Sequence, residues 1–282
     1  MDRSEPLPAA QPAPGRAGRN LPAAIGSGVF LGVAIIVSLL FWKPAFMVIV
    51  VAAVLVAIWE LGHGFATAGI AMPREPVMVG GTVMVLVAFG YGAPALVVAT
   101  ALTALATMLW RLRTGVSGYV RDTTAAVFAT VYVPFLGGFV ALLLAAHRGE
   151  KAIVTFIVVT IASDIGGYAV GVLAGRHPMA PVISPKKSWE GFAGSVVFCV
   201  IAGWLLVAYL LDGRWWVGVL LGLVAVVAAT LGDLCESVIK RDLGIKDMSN
   251  IVPGHGGLMD RLDSLLAAAA PVWLVLHYLV FR

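Results

Sequence analysis

Charge is what this 282-residue chain has least of. Asp, Glu, Lys and Arg together make up 12% of it, against 60% hydrophobic residues, and its mean hydropathy is +0.97. No soluble domain of this length could hide so much apolar side chain, so the composition excludes the soluble classes and predicts an integral membrane protein. Cysteine is nearly absent as well. Cys199 and Cys235 both fall inside apolar runs, which gives no disulfide framework and no metal-ligand spacing. There is no internal repeat, and there are no inverted halves with matching broken helices of the kind that marks secondary transporters. A net charge of +4 needs no nucleic-acid partner to explain it. One helical domain is the economical reading.

What is present is a succession of apolar runs. A hydrocarbon layer about 30 Å thick asks for roughly 20 apolar residues per helical span. Nine runs qualify, at about 22–42, 44–62, 77–91, 93–110, 123–146, 152–174, 191–211, 215–235 and 264–281, and helices are expected because lipid cannot satisfy an open backbone. The expected fold class is therefore all-α, a polytopic helical bundle. The third span is the shortest and is interrupted by Gly80, Gly81 and Gly90, so a tilted or partly re-entrant segment is a second reading of it. With the N-terminus inside, all but five of the 19 Lys/Arg fall in cytoplasmic segments, the exceptions being Lys43, Arg148, Lys151, Arg214 and Arg282. The excess predicts a cytoplasmic N-terminus. Residues 1–20, rich in Pro, Ala and Arg, read as a disordered cytoplasmic tail. The run after them lacks a convincing cleavage context and is read as a retained first helix. The rest divides into N-terminal transmembrane helices, 21–150, and C-terminal transmembrane helices carrying the chemistry, 151–282.

Three segments of the second half are polar out of proportion to their surroundings. In the first, Ala162 to Pro178, Asp164 sits inside an apolar span, where an ionised carboxylate is costly unless paired or wet. Either a neighbouring helix satisfies it, or it faces a polar cavity beside Gly166, Gly167 and Tyr168, whose small residues admit close packing. In the second, ISPKKSWEG, Lys186 and Lys187 are either an ordinary cytoplasmic flank or are presented by the fixed backbone of Pro185, with Ser188 and Glu190 where a helix begins.

The third segment holds the densest charge. Asp233 and Glu236 are three apart near a helix end, and Asp260 and Asp263 repeat that spacing where the last helix starts. Between them, Ser237 to Asp263 carries four Lys/Arg, four Asp and His255, broken by Pro253 and by Gly254, Gly256 and Gly257. A lipid-binding basic strip would not carry paired carboxylates. A metal-bound polyphosphate needs both signs, oxygen ligands for a hard cation and Lys/Arg for the remaining phosphate charge. The glycines would let backbone N–H groups approach phosphate. An internally salt-bridged loop is the alternative.

The residues of this third segment also carry a resemblance. Ser237-x-Ile239-Lys240-Arg241, then Lys246-Asp247-x-Ser249, then Pro253-x-His255-Gly256-Gly257-Leu258-x-Asp260-Arg261-Leu262-Asp263 resembles the signature of the phosphatidate cytidylyltransferases, or CDP-diglyceride synthases. Val252 stands where that family usually has Leu, Ile or Phe. Asp164 through Arg176-His177, and Ser184-Pro185-Lys186-Lys187-Ser188 through Glu190-Gly191, resemble two further family motifs, so motif-level similarity covers roughly residues 162–264. The first half is similar only in being hydrophobic, and Glu60 is assigned no role.

The resemblance implies an enzyme of a bacterial-type plasma membrane, its active site facing the cytoplasm, that joins CTP and phosphatidic acid into CDP-diacylglycerol and pyrophosphate. It also implies Mg²⁺ with a K⁺ companion, and a homodimer. The family's metal-ligating aspartates fall on Asp233 and Asp260; Asp263 and Asp164 are added as further candidates, Asp263 for metal and Asp164 for substrate. Phosphatidate's phosphate is already an anion, so the obstacle to reaction is repulsion between two polyanions, and catalysis is charge neutralisation and in-line positioning. Lys186, Lys187, Lys240, Arg241, Lys246 and Arg261 are candidates to hold phosphate, Ser188, Asp247, Gly256 and Gly257 to complete the substrate site, and His255 to orient a phosphate. Two other readings stay open: a CTP-dependent lipid kinase or cytidylyltransferase for another lipid phosphate, and, from a different class, an ion-coupled transporter. The D-G-x₂-A-R motif expected of a CDP-alcohol phosphotransferase is absent.

Overall fold

A computed structural model describes residues 32–39, 41–249, 251 and 256–281. The expected tail, most of the first expected span and His255 lie outside the described residues, within which 32–39 are helical. From there the chain forms α1 (Lys43–Thr67), α2 (Arg74–Tyr91), α3 (Ala93–Arg111), α4 (Tyr119–Thr130), α5 (Leu136–Ala145), α6 (Gly149–Ala174), β1 (Pro178–Ala180), β2 (Ser184–Ser188), α7 (Trp189–Leu205), α8 (Trp215–Asp242) and α9 (Met259–Leu279). Among the described residues seven helical stretches are long and apolar enough to cross a membrane: α1, α3 with its 3₁₀ extension, α4 running into α5, α6, α7 with its extension, α8 and α9. The protein is thus an all-α polytopic membrane bundle. The third expected span is α2, a continuous 18-residue helix. Arg74, Glu75 and three glycines dilute its apolarity, and it is not among the seven.

Local chemistry explains the breaks. Gly92, at φ 82°, is the one-residue joint between α2 and α3, a left-handed conformation that a side chain disfavours. Pro134 has no N–H to give to a helical ladder. The chain widens into a π-turn over Val131–Phe135, and α4 and α5 continue as one rod.

Helices α6 to α9 pack as successive neighbours, and α1 to α5 form the other half, joined to the first chiefly where α5 meets α9 and α6. Ile58, Leu61, Met84, Leu143, Phe156, Leu221, Met259 and Leu276 are fully buried in one continuous core. Between α6 and α7 the backbones touch: a methyl group added at Gly166 would lie 2.6 Å from the carbonyl of Gly194, and one at Gly191 2.9 Å from that of Gly167. Only glycine allows this approach, as Gly166 and Gly167 suggested.

Each half also has its polar ties. At one end of the bundle Lys43 pairs with Glu150 at 2.9 Å, tying the starts of α1 and α6, and Arg148 with Asp212 at 2.7 Å, linking two loops. In the N-terminal half, Arg111 donates to Asp122 Oδ2 from Nε at 3.1 Å and Nη2 at 2.9 Å, and to the carbonyls of Gly115 and Ser117. Asp122 Oδ1 accepts from the Ala71 N–H at 3.0 Å. This knot ties the α1–α2 loop and the α3–α4 loop to the ends of α3 and α4.

One element was not expected. The stretch between α6 and α7 forms a two-stranded antiparallel hairpin, Pro178 opposite Ser188 and Ala180 opposite Ser184. Pro178, Pro181 and Pro185 exclude a helix there. Glu190 fastens the hairpin by accepting from the N–H groups of Arg176 (3.0 Å) and His177 (3.2 Å), while His177 Nδ1 lies 2.5 Å from its other oxygen.

Candidate active site

Helix α8 extends beyond the expected apolar span to Asp242, so Asp233, Glu236 and Lys240 stand on one helical face. The first turn of α9 supplies Asp260, Arg261 and Asp263, and α6 supplies Asp164. The hairpin brings Lys186 and Lys187 over them, and Ser188 caps α7 by accepting from the Gly191 N–H at 3.1 Å. These groups share one cavity of about 510 Å³, lined by Asp164, Lys186, Lys187, Ser188, Asp233, Lys240, Asp247, Asp260, Arg261 and Asp263, with Ser163, Ser195 and Thr230 deeper in its wall. Five carboxylates and four cations therefore meet at the end of the bundle opposite the Arg148–Asp212 pair.

The opposite charges partly satisfy each other. Lys187 Nζ is 2.5 Å from Asp233 Oδ2, with the side chains 23% and 37% exposed. Lys240 Nζ lies 2.8 Å from Asp260 Oδ1 and also pairs with the fully buried Glu236. Lys186 enters no ion pair among the described residues.

The match to known proteins is extensive. The profile of the cytidylyltransferase family matches residues 23–279. Relatives named phosphatidate cytidylyltransferase include those of Mycobacterium bovis, 43% identical over 96% of this chain and 96% of the relative, and Mycobacterium leprae, 42% identical over 94% and 90%. That of Brucella suis is 42% identical over 50% of this chain and 54% of its own length. This chain belongs to the cytidylyltransferase family. The likeness runs through the first half as well, beyond the motifs of residues 162–264.

Not every sequence-derived candidate of this cytidylyltransferase lines the cavity. Arg241 is exposed, and its Nε reaches the carbonyl of Ile183 at 3.5 Å, bracing the hairpin against α8. Lys246 is exposed in the turn after α8. The Gly257 N–H donates to Asp260 Oδ2 at 2.9 Å, as does that of Met248 at 3.1 Å, so the signature loop is wrapped around Asp260. A methyl group added at Gly257 would stand 2.8 Å from that oxygen, a close approach only glycine permits.

Among the described residues no three His, Cys, Asp or Glu side chains form a ready-made metal cage. The cavity's free-facing donors are carboxylate oxygens, with Asp164, Asp233 and Asp263 within electrostatic reach of one another. That donor set fits an ion which takes one or two carboxylates and keeps water and phosphate as its other ligands, the habit of Mg²⁺.

Two residues of the N-terminal half escaped the sequence reading. Glu60, fully buried, accepts from the N–H groups of Leu258 (2.9 Å) and Met259 (2.6 Å) and from the Ser249 hydroxyl. Tyr132, in the π-turn, carries a buried hydroxyl without a hydrogen-bond partner among the described residues, within electrostatic reach of Asp233, Glu236 and Asp263. The only available signal for Glu60 was a carboxylate inside an apolar run. A π-turn leaves none.

Proposed function

We propose that this chain transfers CMP from CTP to phosphatidic acid, forming CDP-diacylglycerol and pyrophosphate, with the cavity of Asp233 and Lys187 as its active site. One observation carries the reading: carboxylates and ammonium groups from the hairpin, α8 and α9 face a single cavity at the end of a membrane bundle. The family membership and the names of the relatives support it.

A phosphate oxygen of phosphatidate attacks the α-phosphorus of CTP. The bond from that phosphorus to the bridging oxygen of the β-phosphate breaks, and pyrophosphate leaves with the electron pair. The nucleophile is already anionic, so the chain need supply no general base. Its task is to hold two polyanions in line.

The ion pairs do this by exchanging partners. Lys187 and Asp233 stand partly exposed beside open space, while Asp260 lines the same cavity with Oδ2 held by the Met248 and Gly257 N–H groups and only Oδ1, now on Lys240, free to change partner. A triphosphate would offer its oxygens to the lysines, and a divalent ion accompanying it would be held by the aspartates those lysines release, so that no charge is left uncompensated. Asp233 and Asp260 would hold Mg²⁺, with Asp263 as a third ligand. The chemistry an ion held there would supply is neutralisation of the nucleotide and pyrophosphate charge. Lys186, Lys187, Lys240 and Arg261 grip phosphate within the cavity. Ser188, Asp247 and Asp164 complete the lining; Gly256 and Gly257 belong to the loop that holds Asp260, Arg241 and Lys246 stand outside the cavity, and His255 is assigned to orienting a phosphate from the signature alone. A potassium companion has no residue assigned to it.

Phosphatidate's acyl chains stay in hydrocarbon while its headgroup meets a soluble nucleotide, which places the cavity at the cytoplasmic leaflet, in accord with the positive-inside excess. The assembly is proposed as a homodimer of the whole chain, in which residues 151–282 carry the catalytic groups. The test is product analysis with radiolabelled CTP in detergent, omitting CTP, phosphatidate or Mg²⁺ in turn. Label on the lipid with release of pyrophosphate is expected. Free labelled CDP would indicate a kinase, and no reaction without a gradient would favour a transporter.

A further inference from the structure

Glu60 is a carboxylate at 0% exposure in the last turns of α1, and it has no ion-pair partner among the described residues. Such a group costs several kcal/mol unless hydrogen bonds satisfy it. Here all of its hydrogen-bond partners among the described residues belong to the signature segment, almost two hundred residues away. Oε1 accepts from the Leu258 N–H and the Ser249 hydroxyl, and Oε2 accepts from the Met259 N–H. Leu258 and Met259 open α9, whose first N–H groups have no partner within the helix and whose dipole favours an anion.

The same turn of α1 receives the loop through apolar contacts. A methyl group at Gly64 would meet the side chains of Ile245 and Leu243 at 3.3 Å and Met248 at 3.6 Å, so those three lie directly on the helix. Gly257 fits between two carboxylates, its added methyl standing 3.1 Å from Glu60 Oε1 and 2.8 Å from Asp260 Oδ2. Glu60 and Asp260 thus hold the loop from opposite sides: Glu60 takes the N–H groups of 258 and 259, and Asp260 those of 248 and 257.

We propose that Glu60 is a positioning residue of the active site, a cap supplied by the N-terminal half that fixes the start of α9 and the signature loop. It sets the direction in which Asp260 and Asp263 point and touches neither substrate. The inference rests on the functional reading above for its kinetic arm only. Truncating Glu60 frees two backbone donors and one hydroxyl, so the loop opens locally while the apolar bundle remains.

The experiment uses the full-length protein in nanodiscs, comparing wild type with Glu60→Ala, Glu60→Gln and Ser249→Ala. It measures hydrogen exchange across residues 243–259 and steady-state kinetics for each substrate. Glu60→Ala is expected to raise exchange in that segment alone and to raise KM for CTP about tenfold or more, with KM for phosphatidate within about threefold. Glu60→Gln, which keeps one acceptor oxygen, and Ser249→Ala are expected to fall between it and wild type. Unchanged exchange and unchanged KM in Glu60→Ala would overturn the proposal. So would lost activity with a protected loop, which would make Glu60 a chemical participant, or unfolding of the whole bundle in both Glu60→Gln and Ser249→Ala. Increased exchange in a protein whose wild type makes no CDP-diacylglycerol would uphold the latch and remove the enzymatic reading.

Discussion

Two ion pairs in this molecule use the same chemistry to opposite ends. Arg111 and Asp122, 8% and 2% exposed, are saturated: the guanidinium also serves loop carbonyls, and the carboxylate also takes a backbone N–H. Lys187 and Asp233, more than a fifth and a third exposed, have a cavity of about 510 Å³ beside them. A saturated pair has nothing left to offer a ligand, and breaking it strands a buried charge. A pair at the edge of a cavity can trade its partner for a metal and a phosphate. The comparison separates structural charge from chemical charge more cleanly than sequence position does, since both pairs lie near helix ends.

The largest difference between the two regions is expected from chelation. Removing divalent cations should abolish turnover while leaving the thermal transition of the purified protein little moved, because no carboxylate of the Arg111–Asp122 knot depends on a metal. A loss of folding on chelation, beyond the small shift expected from an ion leaving the cavity, would place a metal in the fold itself. Asp233→Asn comes next: product formation should fall about a hundredfold or more with the bundle intact by size exclusion. In the other region Asp122→Asn should do the reverse, costing about 3 to 5 kcal/mol of stability by denaturation while turnover per folded molecule is retained. Lys187→Gln is the mildest, raising KM for a phosphate-bearing substrate about tenfold with kcat little changed. Unaltered constants for both substrates would return Lys187 to an ordinary cytoplasmic flank.

How much of this was legible in the sequence follows from range. The apolar runs report on lipid, a local property, so the helices fall close to their expected bounds. Charge interrupting such runs marked Asp164, Lys187, Asp233, Asp260 and Asp263, all of which reach one cavity. The hairpin was not legible, because three prolines say what the segment cannot be without saying what it pairs with. Glu60 was visible as a buried acid, but its partners Ser249, Leu258 and Met259 are separated from it by most of the chain. Gly256 and Gly257 read as phosphate-approaching glycines, whereas the Gly257 N–H is turned onto Asp260. Arg111 and Asp122 attracted no notice, since a cation and an acid eleven residues apart do not declare that a loop folds back between them.

The account stands on the exchange of partners in the Lys187–Asp233 pair, and reversing that pair tests it most directly. The double variant Lys187→Asp with Asp233→Lys keeps one cation and one anion within reach, so a purely structural pair would be restored. It should fold as wild type does and yet neither bind Mg²⁺–CTP by calorimetry nor form CDP-diacylglycerol, because the cation now sits where the metal needs a carboxylate. A double variant that binds the nucleotide and turns over within about threefold of wild type would contradict the account.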